Sequence, residues 1–262
     1  MNDTLENILL GLVEGITEFL PISSTGHLLI AQHWLGSRSE LFTVVIQVGA
    51  ILGVVVVYWR RLLDLALRLG LPENKDYLVK LVGSFAITAA GGFVAKQLGV
   101  ELPETVAPVA WALLVGGALI LVIERALAGR EPSERLTWRV AVSVGIGQIV
   151  AAVFPGTSRS AAAIFAAMLA GQTSRPAAAE FAFLVGIPTM FAAAGYELLK
   201  LLRGGAGLAG EDWGGLALAF AASSVVGFAS VKWLLLYIRA HRFTPFAWYR
   251  IAFGAALLVL AR

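Results

Sequence analysis

Apolar runs close to the length of a bilayer crossing constrain the fold of this chain more than any other feature. Six of them occur, at about 41–58, 78–97, 106–123, 178–199, 214–236 and 246–261. A helix needs roughly 20 predominantly apolar residues to cross the hydrocarbon core, so each run predicts one membrane span. Only 14% of the residues are charged, against roughly one quarter in ordinary soluble domains. The expected fold class is therefore an all-α polytopic membrane protein with six transmembrane helices.

The basic residues that give the chain its net charge of +3 cluster after alternate spans. Arg60 and Arg61 follow the first span, Arg130 and Arg135 follow the third, and Arg242 follows the fifth. The positive-inside rule places these connections in the cytoplasm and, by alternation, both termini outside. Because membrane topology explains the basic excess, we expect no nucleic-acid partner.

Two further apolar segments, 5–35 and 140–171, are interrupted by polar residues and match each other at a constant offset of 134, which aligns Pro21 with Pro155. Proline removes a backbone donor and discourages helix just before it. Ser and Thr follow each proline, and these residue types cap helix N-termini. Each segment therefore predicts a re-entrant hairpin of two short helices. Such irregular backbone is tolerated at membrane depth only when it is buried in protein or lines a wet cavity.

This duplication predicts how the chain is organised. Each hairpin is followed by three spans, an odd number, so the second copy must insert upside down relative to the first. We expect one integral membrane domain, 1–262, built as an inverted-topology repeat with halves at about 1–130 and 135–262. Folds of this type hold their ligand near the bilayer midplane, at the interface of the repeats.

Glu14 and Glu18 lie four residues apart in the first hairpin, so on a helix they share one face. Carboxylates in an apolar environment are costly unless they bind a cation, share a proton or pair with Arg. A hard cation, Mg²⁺ or Ca²⁺, suits an all-oxygen site. The chain has no cysteine and three histidines, which argues against zinc. A solvated edge position, or pairing with a basic residue, remains the alternative for both glutamates.

The stretches that follow the two prolines combine hydroxyl groups with free N–H groups at the start of a helix, which is a ready anion site. Gly156 permits close backbone approach, and Arg159 supplies a permanent, forked positive charge. We expect a phosphate or diphosphate ligand here, although ordinary helix capping would also explain the serines. The candidate phosphate-binding residues are Ser23, Thr25, Gly26, Gly156, Thr157, Ser158 and Ser160.

His27 stands one helical turn after Ser24, so the two side chains can approach each other. His27 could accept the proton of Ser24, attack phosphorus itself or protonate the leaving group. A satisfied packing histidine is the simpler alternative. The spacing leaves the nucleophile open between Ser24, His27 and a metal-activated water. Our preferred hypothesis is Ser24 with His27 as its proton partner. The candidate catalytic residues are Glu14, Glu18, Ser24, His27 and Arg159.

The stretches "EGITEFLPISSTGH" and "PGTSRS", together with "VVIQVGAILGVVVVYWRRL", resemble the signature regions of the bacterial undecaprenyl-diphosphate phosphatase family, also called bacitracin-resistance proteins. The resemblance covers essentially the whole chain. It implies hydrolysis of the C55 isoprenyl diphosphate to the monophosphate and inorganic phosphate, which recycles the lipid carrier of peptidoglycan synthesis. It also implies a polyprenyl diphosphate lipid partner, Mg²⁺ or Ca²⁺ as cofactor, and the bacterial inner membrane with the site open to the periplasm. A homodimer is among the expected partners.

By the same resemblance, Glu14 and Glu18 match the family's acidic pair, placed on metal binding or activation of the nucleophile. Ser24 and His27 match its nucleophile region, and Arg159 matches the arginine that holds the diphosphate. Apart from the resemblance, inverted repeats with broken helices indicate a secondary transporter or a lipid-phosphate flippase. The group around Ser24 favours an enzyme, because a transporter needs no nucleophile beside paired carboxylates.

Overall fold

The structure is a computed structural model that describes residues 3–99, 105–203 and 212–260. Eleven helices and no strand make up this described part of the chain. The helices are α1 (Asp3–Thr17), α2 (Ser24–Leu35), α3 (Glu40–Val57), α4 (Trp59–Leu67), α5 (Pro72–Gln97), α6 (Val106–Ala126), α7 (Trp138–Val153), α8 (Arg159–Leu169), α9 (Arg175–Arg203), α10 (Trp213–Ala240) and α11 (Thr244–Leu260). The expected all-helical class is confirmed. The extreme termini, which the sequence places on the outer side of the membrane, fall beyond the described residues.

Five helices of the described part are long and apolar enough to cross a membrane: α3, α5, α6, α9 and α10. The sixth predicted span, 246–261, falls in α11, which is apolar but has 17 residues. At 1.5 Å per residue α11 is about 26 Å long, a little short of the roughly 30 Å hydrocarbon core. A count of six spans therefore stays a prediction.

Both polar-interrupted segments form pairs of short helices that pack on each other, α1 with α2 and α7 with α8. These helices have 15, 12, 16 and 11 residues, which corresponds to about 17 to 24 Å each. The chain breaks between them at Pro21 and Pro155, as expected for residues that end helices. None of the four helices is as long as the roughly 30 Å hydrocarbon core is thick.

Close helix packing joins each pair to the other half of the chain. A Cβ on Gly11 of α1 would collide with the backbone of Ala219 on α10, and a Cβ on Gly145 of α7 would lie 2.9 Å from the carbonyl oxygen of Ser84 on α5. Glycine at such contacts lets helix backbones approach closely, as is common in membrane bundles. The first pair of short helices thus packs against the second half of the chain, and the second pair packs against the first half.

The largest apolar core joins α8 and α9 with helices of both halves, and it includes the fully buried side chains of Ile164, Met168, Phe181 and Leu184. This core fixes the second hairpin against a long helix. The tips of the two hairpins then meet, since the Ser160 hydroxyl donates a hydrogen bond to the carbonyl oxygen of Leu20 across the break (3.1 Å).

Candidate active site

The tips of both hairpins are built around a serine in the left-handed backbone region. Ser23 has φ 73° and Ser158 has φ 70°, values that are uncommon for residues other than glycine. Each serine is the N-cap of the following helix, and its hydroxyl accepts a hydrogen bond from the backbone N–H of Gly26 (3.4 Å) or Ala161 (3.3 Å). Strained conformations of this kind persist where surrounding structure holds them and cluster at functional sites. The caps direct the N-termini of α2 and α8 to one region.

The structure pairs Ser23 with Ser158, an offset of 135, whereas the sequence match pairs Ser23 with Thr157. The second tip has one more residue between its proline and its cap. Gly156 is part of this longer tip and has φ 90°. A Cβ at Gly156 would lie 2.7 Å from the carbonyl oxygen of Val109 on α6. The position therefore requires glycine both for its backbone conformation and for its close contact.

A cavity of about 60 Å³ lies where the two tips meet, and it collects most of the residues that the sequence selected. Glu18, Ser24 and Thr25 come from the first hairpin, and Arg159 comes from the second. The remaining lining residues are Ser23, Gln47, Ala151, Gly156 and Ser158. A smaller cavity of about 20 Å³ shares Glu18 and Arg159 with it. Residues from two hairpins that are far apart in the chain thus form one polar site.

Ser24 has the carboxylate of Glu18 as its hydrogen-bond partner. The Ser24 hydroxyl donates to Oε2 of Glu18. Glu18 is 9% exposed, so its carboxylate has little competition from water. A hydroxyl held by a neighbouring base is the arrangement that activates a serine nucleophile.

Arg159 lies at the N-terminus of α8, where its guanidinium borders both cavities. None of the ion pairs among the described residues involves Arg159. Its positive charge adds to that of two helix N-termini, which attract anions. The site combines a positively charged wall, suited to anions, with a hydroxyl that is hydrogen-bonded to a carboxylate.

Glu14 lies one turn before Glu18 and is fully buried, with neither carboxylate oxygen hydrogen-bonded. Glu18 and Arg159 are the charged groups that act on it electrostatically. A buried carboxylate without a partner is costly. Its two free oxygens therefore fit a bound cation or a shared proton.

His27 is not the partner of Ser24 in the structure, contrary to our preferred hypothesis. Its Nδ1 is 2.7 Å from the carbonyl oxygen of Ser23, and its Nε2 is 2.6 Å from the hydroxyl of Tyr249. The ring also stacks on Phe253, with centroids 4.4 Å apart. Helical spacing allowed Ser24 and His27 to meet, but α11 supplies other partners for both ring nitrogens. The two ring nitrogens of His27 thus link the first tip to α11.

Three other predicted residues have structural partners at the tips. Gly26 donates its N–H to the Ser23 hydroxyl, Thr157 donates its N–H to the carbonyl oxygen of Phe154 (3.1 Å), and the Ser160 hydroxyl lies 3.0 Å from that of Ser158. Of these, Ser160 borders the smaller cavity. Gly26 and Thr157 line neither cavity and instead shape the tips that carry Ser23, Ser24 and Arg159.

Arg250 is one of the residues of the site region that the sequence did not predict. It lies in α11 with 0% exposure, and its guanidinium donates to the carbonyl oxygens of Pro21 (3.3 Å), Thr157 (3.0 Å), Gly156 (3.1 Å) and Ala112 (3.1 Å). It therefore ties both tips to α6. The signal was present, because an arginine inside an apolar run is a functional candidate by default.

Two glutamines also escaped the sequence analysis as site residues. Gln47 of α3 borders the larger cavity. Gln148 of α7, which the offset of 134 aligns with Glu14, borders the smaller cavity and has both amide atoms buried without a hydrogen-bond partner. Each interrupts an apolar run with a polar side chain, which is the same signal that selected the glutamates.

Glu14 and Glu18 are the carboxylates of the site that could bind a metal ion. The described residues contain no group of three or more His, Cys, Asp and Glu side chains that could hold one. Mg²⁺ is usually held by one or two carboxylates together with substrate phosphates and water, whereas Ca²⁺ takes six to eight oxygen ligands. Two carboxylates, one of them with free oxygens, fit the first of these patterns.

Comparison with known proteins places the chain in a family. The sequence profile described as "Bacitracin resistance protein BacA" matches residues 7–256. The chain is 61% identical over 259 residues to a protein of Rhizobium etli (strain CIAT 652) named "Undecaprenyl-diphosphatase", covering 99% of this chain and 97% of the relative. It is 55% identical over 260 residues to a protein of the same name from Xanthomonas oryzae pv. oryzae (strain PXO99A), with the same coverage. The chain therefore belongs to the bacitracin resistance protein BacA family.

Proposed function

We propose that this chain is an undecaprenyl-diphosphatase, which hydrolyses C55 isoprenyl diphosphate to the monophosphate and inorganic phosphate. Relatives of that name match it over nearly their whole length. The observation that carries the proposal is the contact between Ser24 and Glu18, in one cavity with Arg159 from the opposite hairpin. The monophosphate product is the lipid carrier that returns to cell-wall synthesis. Hydrolysis of the carrier's diphosphate form accords with the bacitracin resistance named in the family's description.

The first chemical step uses the residues of the larger cavity. Glu18 accepts the proton of the Ser24 hydroxyl, whose oxygen attacks the terminal phosphorus of the diphosphate. The bond from that phosphorus to the bridging oxygen breaks, and the lipid monophosphate leaves with the bonding electrons. Arg159 and the free N–H groups at the starts of α2 and α8 stabilise the negative charge of the transferring phosphoryl group. Positioning and charge stabilisation supply most of the catalysis in such reactions.

The second step returns the enzyme to its starting state. The proton held by Glu18 neutralises the departing monophosphate, and Glu18 then accepts a proton from a water molecule that attacks the phosphoserine. The bond from phosphorus to the Ser24 oxygen breaks, Glu18 returns its proton to that oxygen to re-form the hydroxyl, and inorganic phosphate leaves. Direct attack of that water on the diphosphate, with Ser24 orienting it, is the competing route. Trapping a phosphorylated Ser24 with radiolabelled substrate supports the first route, and its absence during turnover favours the second.

A divalent cation is part of the proposal. Glu14 and Glu18 would hold it, and a set of only two carboxylates suits Mg²⁺ better than Ca²⁺, which takes six to eight oxygen ligands. When bound, the cation neutralises charge on the phosphoryl oxygens. Ser23, Thr25 and Ser158 border the same cavity as Ser24 and would contact the phosphate, while Gly26, Gly156, Thr157 and Ser160 maintain the shape of the tips.

We further propose the finer membrane arrangement, with α11 as a sixth span, two re-entrant hairpins and halves at about 1–130 and 135–262. The crossed packing of α1 on α10 and of α7 on α5 supports it, because each hairpin contacts the second long span of the other half. The chain is a multi-pass membrane protein, and the distribution of arginines supports an outer opening of the site with both termini outside. The homodimer remains a prediction.

A transporter or flippase for a lipid phosphate or another anionic solute is the second candidate, favoured by the same crossed packing of the halves. Such a protein needs the positively charged wall but gains nothing from a hydroxyl paired with a carboxylate. Transport coupled to hydrolysis would leave the roles of Ser24 and Glu18 unchanged. Reconstitution in vesicles with lipid phosphate on one side distinguishes transport from turnover.

The deciding experiment measures phosphate release from C55 diphosphate by the purified protein in detergent. We expect cation-dependent release that Glu18→Gln reduces by about 10²- to 10⁴-fold, the usual contribution of a general base. Arg159→Ala should lower activity comparably, whereas Glu73→Gln, at an exposed glutamate on α5, serves as the matched control. A folded wild-type protein that releases no phosphate with Mg²⁺ or Ca²⁺ present would contradict the proposal.

A further inference from the structure

An apolar groove of about 460 Å³ runs along the second hairpin between α6, α7, α8 and α11. Gly116, Thr157 and Arg250 line one end, which lies at the hairpin tip. Ile123, Arg139 and Ser143 line the other end, which lies near the start of α7. Aliphatic side chains and alanines form the walls between them, so the groove is suited to a hydrocarbon chain.

The groove begins at the wall of the polar cavity. Gly156 and Ser158 border the polar cavity, and Thr157, which lies between them in the chain, borders the groove. Arg250 lines the groove and at the same time binds the carbonyl oxygens of Gly156 and Thr157. One short stretch of backbone thus lies between a site for a charged head group and the groove, which suits an apolar tail.

The length of the groove also suits a chain rather than a compact ligand. Its α7 side extends from Arg139 to Val150, which is about 17 Å at 1.5 Å per residue. The matching face of the first hairpin is filled instead. There Leu29 and Ile30 pack against the buried cluster of Val109, Ala110, Leu113 and Leu257, and His27 stacks on Phe253. Of the two hairpins, the second therefore leaves an open path beside its tip.

We propose that this groove binds the first isoprenyl units of the substrate's polyprenyl chain while the diphosphate lies between the hairpin tips. The inference rests on the proposed function and adds a binding site for the tail to it. The occupant is a polyprenyl chain because the groove begins beside the head-group cavity, with residues 156–158 forming the boundary between the two. Burial of the chain along the apolar walls supplies binding free energy in proportion to the apolar area removed from water. Ser143, near the far end, becomes a determinant of chain-length preference.

The test compares two substrates, C55 diphosphate and geranyl diphosphate, whose short chain ends before Ser143. Ser143→Phe fills the far part of the groove, so we expect KM for C55 diphosphate to rise roughly tenfold, as for the loss of one to two buried methylene groups. For geranyl diphosphate, kcat and KM should both stay at their wild-type values. Val142→Phe is the matched control, because Val142 is the exposed neighbouring residue outside the groove. It should change KM for neither substrate.

A variant near the tip tests the direction of the chain. Val150→Phe fills the groove close to Thr157, so KM should rise for both substrates. If Ser143→Phe affects both substrates equally, or neither, while the wild type is active, the groove holds a bilayer lipid or nothing, and the inference is overturned while the proposed function stands. A wild-type protein inactive on both substrates overturns the proposed function itself.

Discussion

At the residue scale, Glu14 is the carboxyl group of the site that has no hydrogen-bond partner. It is fully buried with both oxygens free, and the aligned position in the second hairpin holds the neutral Gln148. A buried, ionised carboxylate loses its hydration, and a positive charge close to it must compensate that loss. Under the proposed function, this difference between the two hairpins predicts that the cation binds at the first one.

Glu14→Gln tests this assignment without reference to activity. A ligand that binds the folded state raises its stability by mass action, by about 2.7 kcal/mol at a concentration one hundred times Kd. We expect Mg²⁺ to raise the Tm of the wild-type protein in detergent, and Glu14→Gln to abolish that rise. The control Glu73→Gln should keep it. An equal rise in all three proteins would remove Glu14 from the cation site.

Arg250 acts at the same scale, because one guanidinium holds four carbonyl oxygens on three segments of chain. Arg250→Met fills similar space but leaves those carbonyls unpaired in an apolar region, at about 1 to 3 kcal/mol for each unsatisfied group. We expect a clear fall in Tm together with lost turnover, since both tips depend on this residue. Arg239→Met, at an exposed arginine near the end of α10, is the matched control and should preserve both. Unchanged Tm in Arg250→Met would show that the tips hold themselves in place.

At the scale of helices, close contacts at glycine decide how the hairpins lean on the long spans. A Cβ at Gly11 collides with the backbone of Ala219, whereas a Cβ at Gly92 of α5 meets nothing within 4 Å. Gly11→Ala should therefore lower the Tm by separating α1 from α10. Gly92→Ala should leave the Tm unchanged or raise it slightly, because alanine favours helix by about 1 kcal/mol over glycine. The two thermal unfolding curves in one detergent decide the matter, and equal shifts would contradict the tight contact.

The helical elements differ in how far the sequence determines them. Prolines, cap residues and uninterrupted apolar runs are local signals, so the break in each hairpin and the positions of α3, α5, α6, α9 and α10 could be predicted. The one-residue difference between the tips could not, because Ser23 and Thr157 match by type. The structure pairs Ser23 with Ser158 because both adopt a positive φ and cap the next helix.

At the scale of the whole molecule, the orientation in the membrane is open to a simple test, because the chain contains no cysteine. Ser37→Cys and Ala128→Cys, both at exposed positions, provide single labels on opposite sides of the proposed topology. A membrane-impermeant thiol reagent should label Ser37→Cys in intact cells, and Ala128→Cys after permeabilisation alone. Labelling of both in intact cells would contradict the positive-inside assignment.

The sequence by itself determined that this chain is an all-helical membrane protein with two broken hairpins, and it selected Glu14, Glu18, Ser24 and Arg159, because apolar runs, prolines and charges in apolar segments are local features. The tertiary structure decided which of these groups meet. It paired Ser24 with Glu18 rather than His27, which lies against Tyr249, and it brought Arg250 from α11 to both tips. These partners come from helices far apart in the chain, and their approach depends on packing that no local pattern encodes.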